Sequence, residues 1–268
     1  MGALTDAQKV LLTANPREKA ACAHKMRQDW LDKGEIGPSP ENLPMQPARP
    51  AKPILVAPSD VPRRRLGSPE GRGALLHAVA HIELNAIDLA ADMIARFAKH
   101  PSLKPDDVPD FISDWSSVCE DESRHFNMLA DRLDELGLSY GDHPAHNGLW
   151  EAAQSTRHNF PARVAIAPLV LEARGLDVTP GMIQRLVSAG DTDSAAILEI
   201  IYEEEIGHVT IGARWFKYLA AQQPESAESY FHSLVKTHYK GQLKSPFNDK
   251  ARTIAGLTRA YYEPLARI

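Results

Sequence analysis

Two copies of Glu-x-x-His, Glu122-Ser123-Arg124-His125 and Glu205-Ile206-Gly207-His208, constrain this chain more than any other feature of its sequence. Residues i and i+3 share one face of a helix, so each copy can aim a carboxylate and an imidazole at one point. One copy alone is a weak signal, because glutamate and histidine are common on solvated helix faces. Two copies gain weight if acids elsewhere in the chain are placed to meet them.

The surrounding pattern predicts where those acids lie. Ser68-Pro69-Glu70 reads as cap, proline and acid at a helix start, and apolar positions follow through Leu75, Leu76, Val79, Ile82, Leu89 and Ile94 until Pro101. A second helix starts near Asp106 and runs through Phe111, Ile112, Trp115, Val118, Phe126, Leu129 and Leu133 to Gly137. Residues 138–160 contain Gly, His and Pro, with room for one short helix from Leu149, and read as a long crossover between two helical hairpins. A third helix starts near Pro161 and meets Gly175 and Pro180, which predicts two pieces, 161–174 and 180–189. A fourth runs from Thr192 to Gln222, and further helices are expected from Pro224 to Tyr239 and from Asp249 to Tyr262.

Before these helices, residues 5–33 carry a helical pattern with Thr5 as cap and Pro16 as a break. From Pro38 to Pro69 there are nine prolines, which remove backbone donors and fix φ, so this stretch is an extended arm. The expected organisation is an N-terminal helix and arm over 1–69, a four-helix core over 70–222, and C-terminal helices over 223–268 packed on it. The fold class is all-α, an antiparallel four-helix bundle with a long crossover and extra helices at both ends.

The first and third helices each supply an acid in apolar surroundings: Glu83 in His81-Ile82-Glu83-Leu84 and Glu172 in Val170-Leu171-Glu172-Ala173. At a rise of about 1.5 Å per residue their depths match the histidine pairs. Glu83 lies about 20 residues before the turn near Leu103, and the midpoint of Glu122 and His125 about 20 after it. Glu172 lies about 18 residues before Gly190, and the Glu205–His208 pair about 16 after it. The six residues Glu83, Glu122, His125, Glu172, Glu205 and His208 therefore form the candidate metal set, the ligand pattern of two-metal helical bundles. Four carboxylates and two imidazoles neutralise two divalent ions, and a mixed N/O set with open positions suits Fe, with Mn as the alternative, over a closed tetrahedral zinc site. Without metal, buried acids in such numbers repel one another.

Composition narrows the remaining choices. The formal charge of −5 gives no global attraction to phosphate backbones, and the tight basic cluster Arg63-Arg64-Arg65 sits in the proline-rich arm. Nucleic acid is accordingly the disfavoured partner. Two cysteines, Cys22 and Cys119, cannot form a disulfide framework or a thiolate cluster, and two free thiols fit a reducing compartment. No run of about 18 apolar residues occurs, so a cytoplasmic protein without a membrane span is expected.

Asp121-Glu122-Ser123-Arg124-His125 resembles the D-E-x-R-H iron motif of the ferritin-like superfamily, which includes the bacterial multicomponent monooxygenases and the rubrerythrins. The second copy departs from it, with Glu204 in place of Asp and Gly207 in place of Arg. Leu171-Glu172-Ala173-Arg174 resembles the third-helix motif of the tRNA hydroxylase that acts on 2-methylthio-isopentenyladenosine, and residues 70–220 resemble an uncharacterised ferritin-like family related to it. Beyond Arg174 the second acid and arginine of the hydroxylase motif are missing, so its substrate does not carry over. The resemblance implies a ferritin-like bundle with a di-iron site. It also gives Asp121 and Glu204 a role in orienting the histidine of a partner helix, with Arg124 and Arg174 neutralising such acids.

Other residues have a bland reading beside the functional one. His77 and His81 can touch the site or simply pack; Glu199 and Glu203 can compete with Glu205 or face solvent; Cys119 can line the cavity or fill core space. Tyr202, one turn before Glu205, is a hydrogen-bonding or radical neighbour, or core. The function expected from this set is a non-haem di-iron oxidoreductase that activates O2, a hydroxylase or oxidase of a small organic substrate, served by an electron donor. A homodimer is compatible with it. The alternatives are a ferroxidase or peroxide-handling iron protein, and a helical interaction module without catalysis.

Overall fold

A computed structural model describes residues 2–61 and 66–267, so the arginine run Arg63–Arg65 lies outside the described residues. The chain is mainly helical, with 70% helix and 2% strand. Its helices are α1 (Ala3–Leu12), α2 (Pro16–Lys33), α3 (Pro69–Phe97), α4 (Val108–Glu135), α5 (Gly148–Ser155), α6 (Phe160–Ile166), α7 (Ala173–Ser188), α8 (Thr192–Ala220), α9 (Ala227–His238), α10 (Asp249–Ile254) and α11 (Arg259–Tyr262). Two compact units divide the chain: one runs to Trp150 and adds Leu186–Ile197, the other comprises Glu151–Arg185 with Leu198–Ile268.

In the first unit α3 and α4 lie along each other, with α1 and α2 packed on them. Ser68 caps α3 by accepting the Gly71 amide, and Pro69 follows at the first helical position, where its missing N–H costs nothing. Thr5, expected as a cap, instead sits inside α1, where its hydroxyl accepts the Gly2 amide at 3.0 Å and donates to Gly2 O at 2.8 Å. Gly2 is packed so closely against Gly37 that a Cβ would lie 2.5 Å from the Gly37 nitrogen. Asp191 accepts from Arg72 at the start of α3 and from Arg132 at the end of α4, which fixes these two helices as an antiparallel pair.

Most residues of α3 beyond Leu76 are buried on every side, so its polar residues need internal partners. Asp88, fully buried, takes Lys19 Nζ of α2 at 2.5 Å on one oxygen and Arg49 of the proline-rich arm on the other. Arg49 also donates to Asn85 Oδ1 at 2.7 Å. Among its described residues the arm is tied to this unit: Ala48 N–H donates to Leu11 O, and Val56 N–H to Ala145 O, both at 2.8 Å. By length and composition α3 would also cross a membrane, but 72% of the qualifying stretch is buried inside the fold.

The expected break of the third helix at Gly175 and Pro180 is not present; α7 runs through both. The irregularity lies one step earlier. Residues Ala167–Glu172 form a π-helical segment that joins α6 to α7, and the Ala173 amide reaches back to Pro168 O. Proline at 168 has no N–H to give to the α ladder, which explains a widened turn at this point. Within the same unit Pro168 Cβ lies 2.5 Å from where a Gly212 Cβ would be, so only glycine on α8 accommodates it.

At the far end of the second unit the helix expected over 249–262 is split into α10 and α11 by Gly256, which has φ of 82°. Arg252 anchors this end: its guanidinium donates in bidentate fashion to buried Asp177 of α7, at 2.8 and 2.7 Å, and lies 4.7 Å from the Tyr262 ring centroid.

Replacing Asp88 by Ala would leave Lys19 and Arg49 without their shared carboxylate. Asp88→Ala should lower unfolding free energy by about 3–5 kcal/mol in urea titrations. Lys19→Met combined with Asp88→Leu should recover most of that loss, since Arg49 can turn to solvent; no recovery would mean that the cluster is not an electrostatic unit.

Candidate metal centre

The inner stripe of α4 runs Phe111, Trp115, Cys119, Glu122, Phe126, Leu129 and Leu133, apolar except where Glu122 interrupts it, and His125 is buried one turn after Glu122. Antiparallel pairing places Glu83 of α3 opposite. The three side chains are buried, Glu83 being 3% exposed and the other two 0%. His125 Nδ1 lies 3.1 Å from Glu83 Oε2 and 3.5 Å from Glu122 Oε2. One donor atom from each of the three falls within 4.8 Å of the others, so this buried cluster can hold a metal ion.

Its electrostatics demand positive charge. Burial and the neighbouring Glu122 carboxylate push the Glu83 carboxyl well above the usual carboxylate range. For His125, burial alone would lower the imidazole, but the two carboxylates outweigh it and hold it well above its usual value. The donor set fits a divalent cation: a metal at the Nδ1 position replaces one proton by a larger charge, and both acids are already turned toward it.

In the second unit, Glu205 and His208 of α8 stand one turn apart as the spacing requires, with His208 Nδ1 at 3.7 Å from Glu205 Oε2 and only 3% of the His208 side chain exposed. Glu172 is the last residue of the π segment and is half-buried. The first unit thus joins Glu83, Glu122 and His125, and the second pairs Glu205 with His208.

The weaker candidates resolve individually. His77 and His81 point toward the 140–146 loop: His77 Nε2 accepts the Gly141 amide at 2.9 Å, and His81 Nδ1 lies 2.8 Å from the Tyr140 hydroxyl. His81 Nε2 faces the His146 carbonyl, which can only accept, so Nε2 carries the proton and Nδ1 receives the phenol hydrogen bond. Burial lowers both imidazoles to about 4, aided by His143 for His77 and by Arg49 for His81. Asp121 is bound by Arg124 at 2.7 Å on its own helix. Arg174 is used by Asp177 and by the Lys244 carbonyl, at 3.2 and 2.7 Å. Glu199 and Glu203 face solvent. Cys119 is buried with its thiol directed at Ile87 O, and Tyr202 OH accepts from Asn248.

Sequence reasoning missed the set around Asp88. The signal was present in α3, whose apolar pattern carries Asn85, Asp88 and Asp92 as well as Glu83, but Lys19 and Arg49 look like ordinary surface cations until the fold brings them in.

Glu83 and His125 both bind protons more tightly in the folded state. An acid with a raised value costs stability once the unfolded chain ionises, above 4.5, while a histidine with a raised value contributes below 6.5 and loses that contribution as pH climbs to its folded value. The metal-free protein should therefore lose stability as pH rises above about 4.5, and further as it rises above about 6.5. In urea melts across that range Glu83→Gln should flatten the decline; an unchanged slope would uncouple these protons from folding.

Comparison with known sequences places this arrangement in a family. A protein of Haemophilus influenzae described as "Uncharacterized protein" is 39% identical over 257 residues, covering 94% of this chain and 89% of the relative. No solved structure matches the chain. The family model described as "Protein of unknown function (DUF455)" matches residues 12–263, which takes in every candidate ligand, and the chain belongs to that family.

Proposed function

We propose that this protein is a ferritin-like, O2-activating dimetal carboxylate oxidoreductase, a hydroxylase or oxidase of a small organic substrate, with Fe as its metal. In this reading α3, α4, the π segment with α7, and α8 are the four ligand helices. Glu83, Glu122 and His125 supply half of the ligands, and Glu172, Glu205 and His208 the other half. The observation that carries the proposal is the buried Glu83–His125–Glu122 cluster, because two desolvated acids around one imidazole have no structural use that an apolar trio would not serve better. The second Glu-x-x-His on α8 and the π turn ending at Glu172 add to it, since such turns are frequent at functional sites.

Bound iron of this kind supplies the redox change that reduces O2. The protein's own residues do the rest. Glu83 and Glu122 would balance the metal's charge, and His125 would hold it as a neutral donor once its extra proton is lost to solvent. The apolar residues Phe111, Trp115, Phe126 and Leu129 exclude water from this side of α4.

The protein purified under iron-replete conditions should contain about two metals per chain. Glu122→Ala, His125→Ala, Glu205→Ala and His208→Ala should each lower that content measured by mass spectrometry of the eluted metal. Full retention in all four variants would remove the site. Optical spectra after O2 is added to the reduced protein then test the oxidative reading, and catalytic consumption of added iron would favour a ferroxidase instead.

A further inference from the structure

Positive charge collects at the end of the second unit, where the fold does not neutralise it. Over residues 236–254 the single acid is Asp249, and it is taken by Arg259 and by the Tyr262 hydroxyl. Lys236, Lys240, Lys244 and Lys250 are all exposed, and no ion pair or hydrogen bond engages their ammonium groups among the described residues. The other cations here are spoken for: Arg252 is buried against Asp177, and Lys217 Nζ donates to Gly256 O at 3.0 Å. In a chain of net charge −5 this is segregation, not average composition.

The lysines follow closely along one connection, from the end of α9 to the start of α10. Lys236 lies in the last turn of α9, and Lys240 follows two residues after that helix ends. Lys244 and Lys250 bracket a loop wrapped around one ion pair, in which Arg174 donates to Lys244 O at 2.7 Å and Asp177 accepts the Asn248 amide at 2.9 Å. Ile254, one helical turn after Lys250, is 60% exposed and sets an apolar spot beside the cations. An apolar contact rimmed by charges of one sign suits a protein surface of opposite sign. A phosphate backbone is matched better by arginine forks and a longer basic track.

We propose that Lys236, Lys240, Lys244, Lys250 and Ile254 form the docking face for an acidic partner protein. Resting on the oxidoreductase reading above, that partner is a one-electron carrier, which leaves oxidised by one electron while the electron enters the metal site. Cys22 and Cys119 are too few to ligate an iron–sulfur cluster of this chain's own, so in this reading the electron comes from the partner.

The test uses the full chain, metal-free and iron-loaded, titrated with an acidic [2Fe–2S] carrier protein at several salt concentrations. Binding should weaken steeply with salt, and changing all four lysines to Glu should cost about tenfold or more in affinity. The Lys→Arg set should bind like the parent, with metal content and helicity unchanged in every set, and the Lys→Gln set replaces the Glu set if the latter does not fold. Equal affinity and equal salt slope for parent and charge-altered protein would overturn the proposal, as would tighter, lysine-dependent binding of duplex RNA. Carrier binding by the metal-free protein together with a failure to load iron would refute the oxidoreductase reading while leaving the docking face standing.

Discussion

A carboxyl group buried away from water needs a polar or charged partner, and Glu83 and Glu122 both face the same atom, His125 Nδ1. Helix positions follow from it. α3 and α4 must run antiparallel in a register that faces Glu83 to the Glu122–His125 turn, and Asp191 fixes that register from outside by holding Arg72 and Arg132 at the ends of the two helices. The desolvation that suits the cluster to hold a metal ion also makes it costly to the fold when no cation is there.

The same helix solves the same problem twice, with different chemistry. Glu83 is met by an imidazole, His125, a group that can carry either a proton or a metal ion. Asp88, on another face of α3, is met by Lys19 and Arg49, whose cationic nitrogens occupy one carboxylate oxygen each. One acid is set up for exchange and the other for fixation. Arg49 also holds the proline-rich segment: a chain stretch with few backbone donors is joined to the unit by one guanidinium and by hydrogen bonds at Ala48 and Val56.

In the second unit the decisive contact is steric. Pro168 removes an amide from the helical ladder, the turn widens over Ala167–Glu172, and Gly212 on α8 makes room for the proline ring. Glu172 thereby leaves a π turn instead of a regular helical one. Close by, Asp177 ties α7 to Arg252 and Asn248, so the C-terminal loop that carries the unpaired lysines is built on a buried ion pair.

Much of this was written in the residues. Glu-x-x-His spacing, the start of α3 at Ser68-Pro69 and the extended arm follow from helical periodicity, capping chemistry and the fixed φ of proline, all of which act over a few residues. Equal spacing of Glu83 and Glu122–His125 from their turn was enough to bring them face to face, because the rise of a helix per residue is constant. What sequence alone misjudged was the third helix: Gly175 and Pro180 look like breaks, yet α7 absorbs both, and the irregularity falls at Pro168. Lys19, Arg49 and Asp88 were equally illegible, for they stand 69 and 39 residues apart along the chain. Short-range rules decide which residues can share a face; only packing decides which surface cation is carried inward to meet a buried acid, because that choice depends on the depth at which distant segments cross.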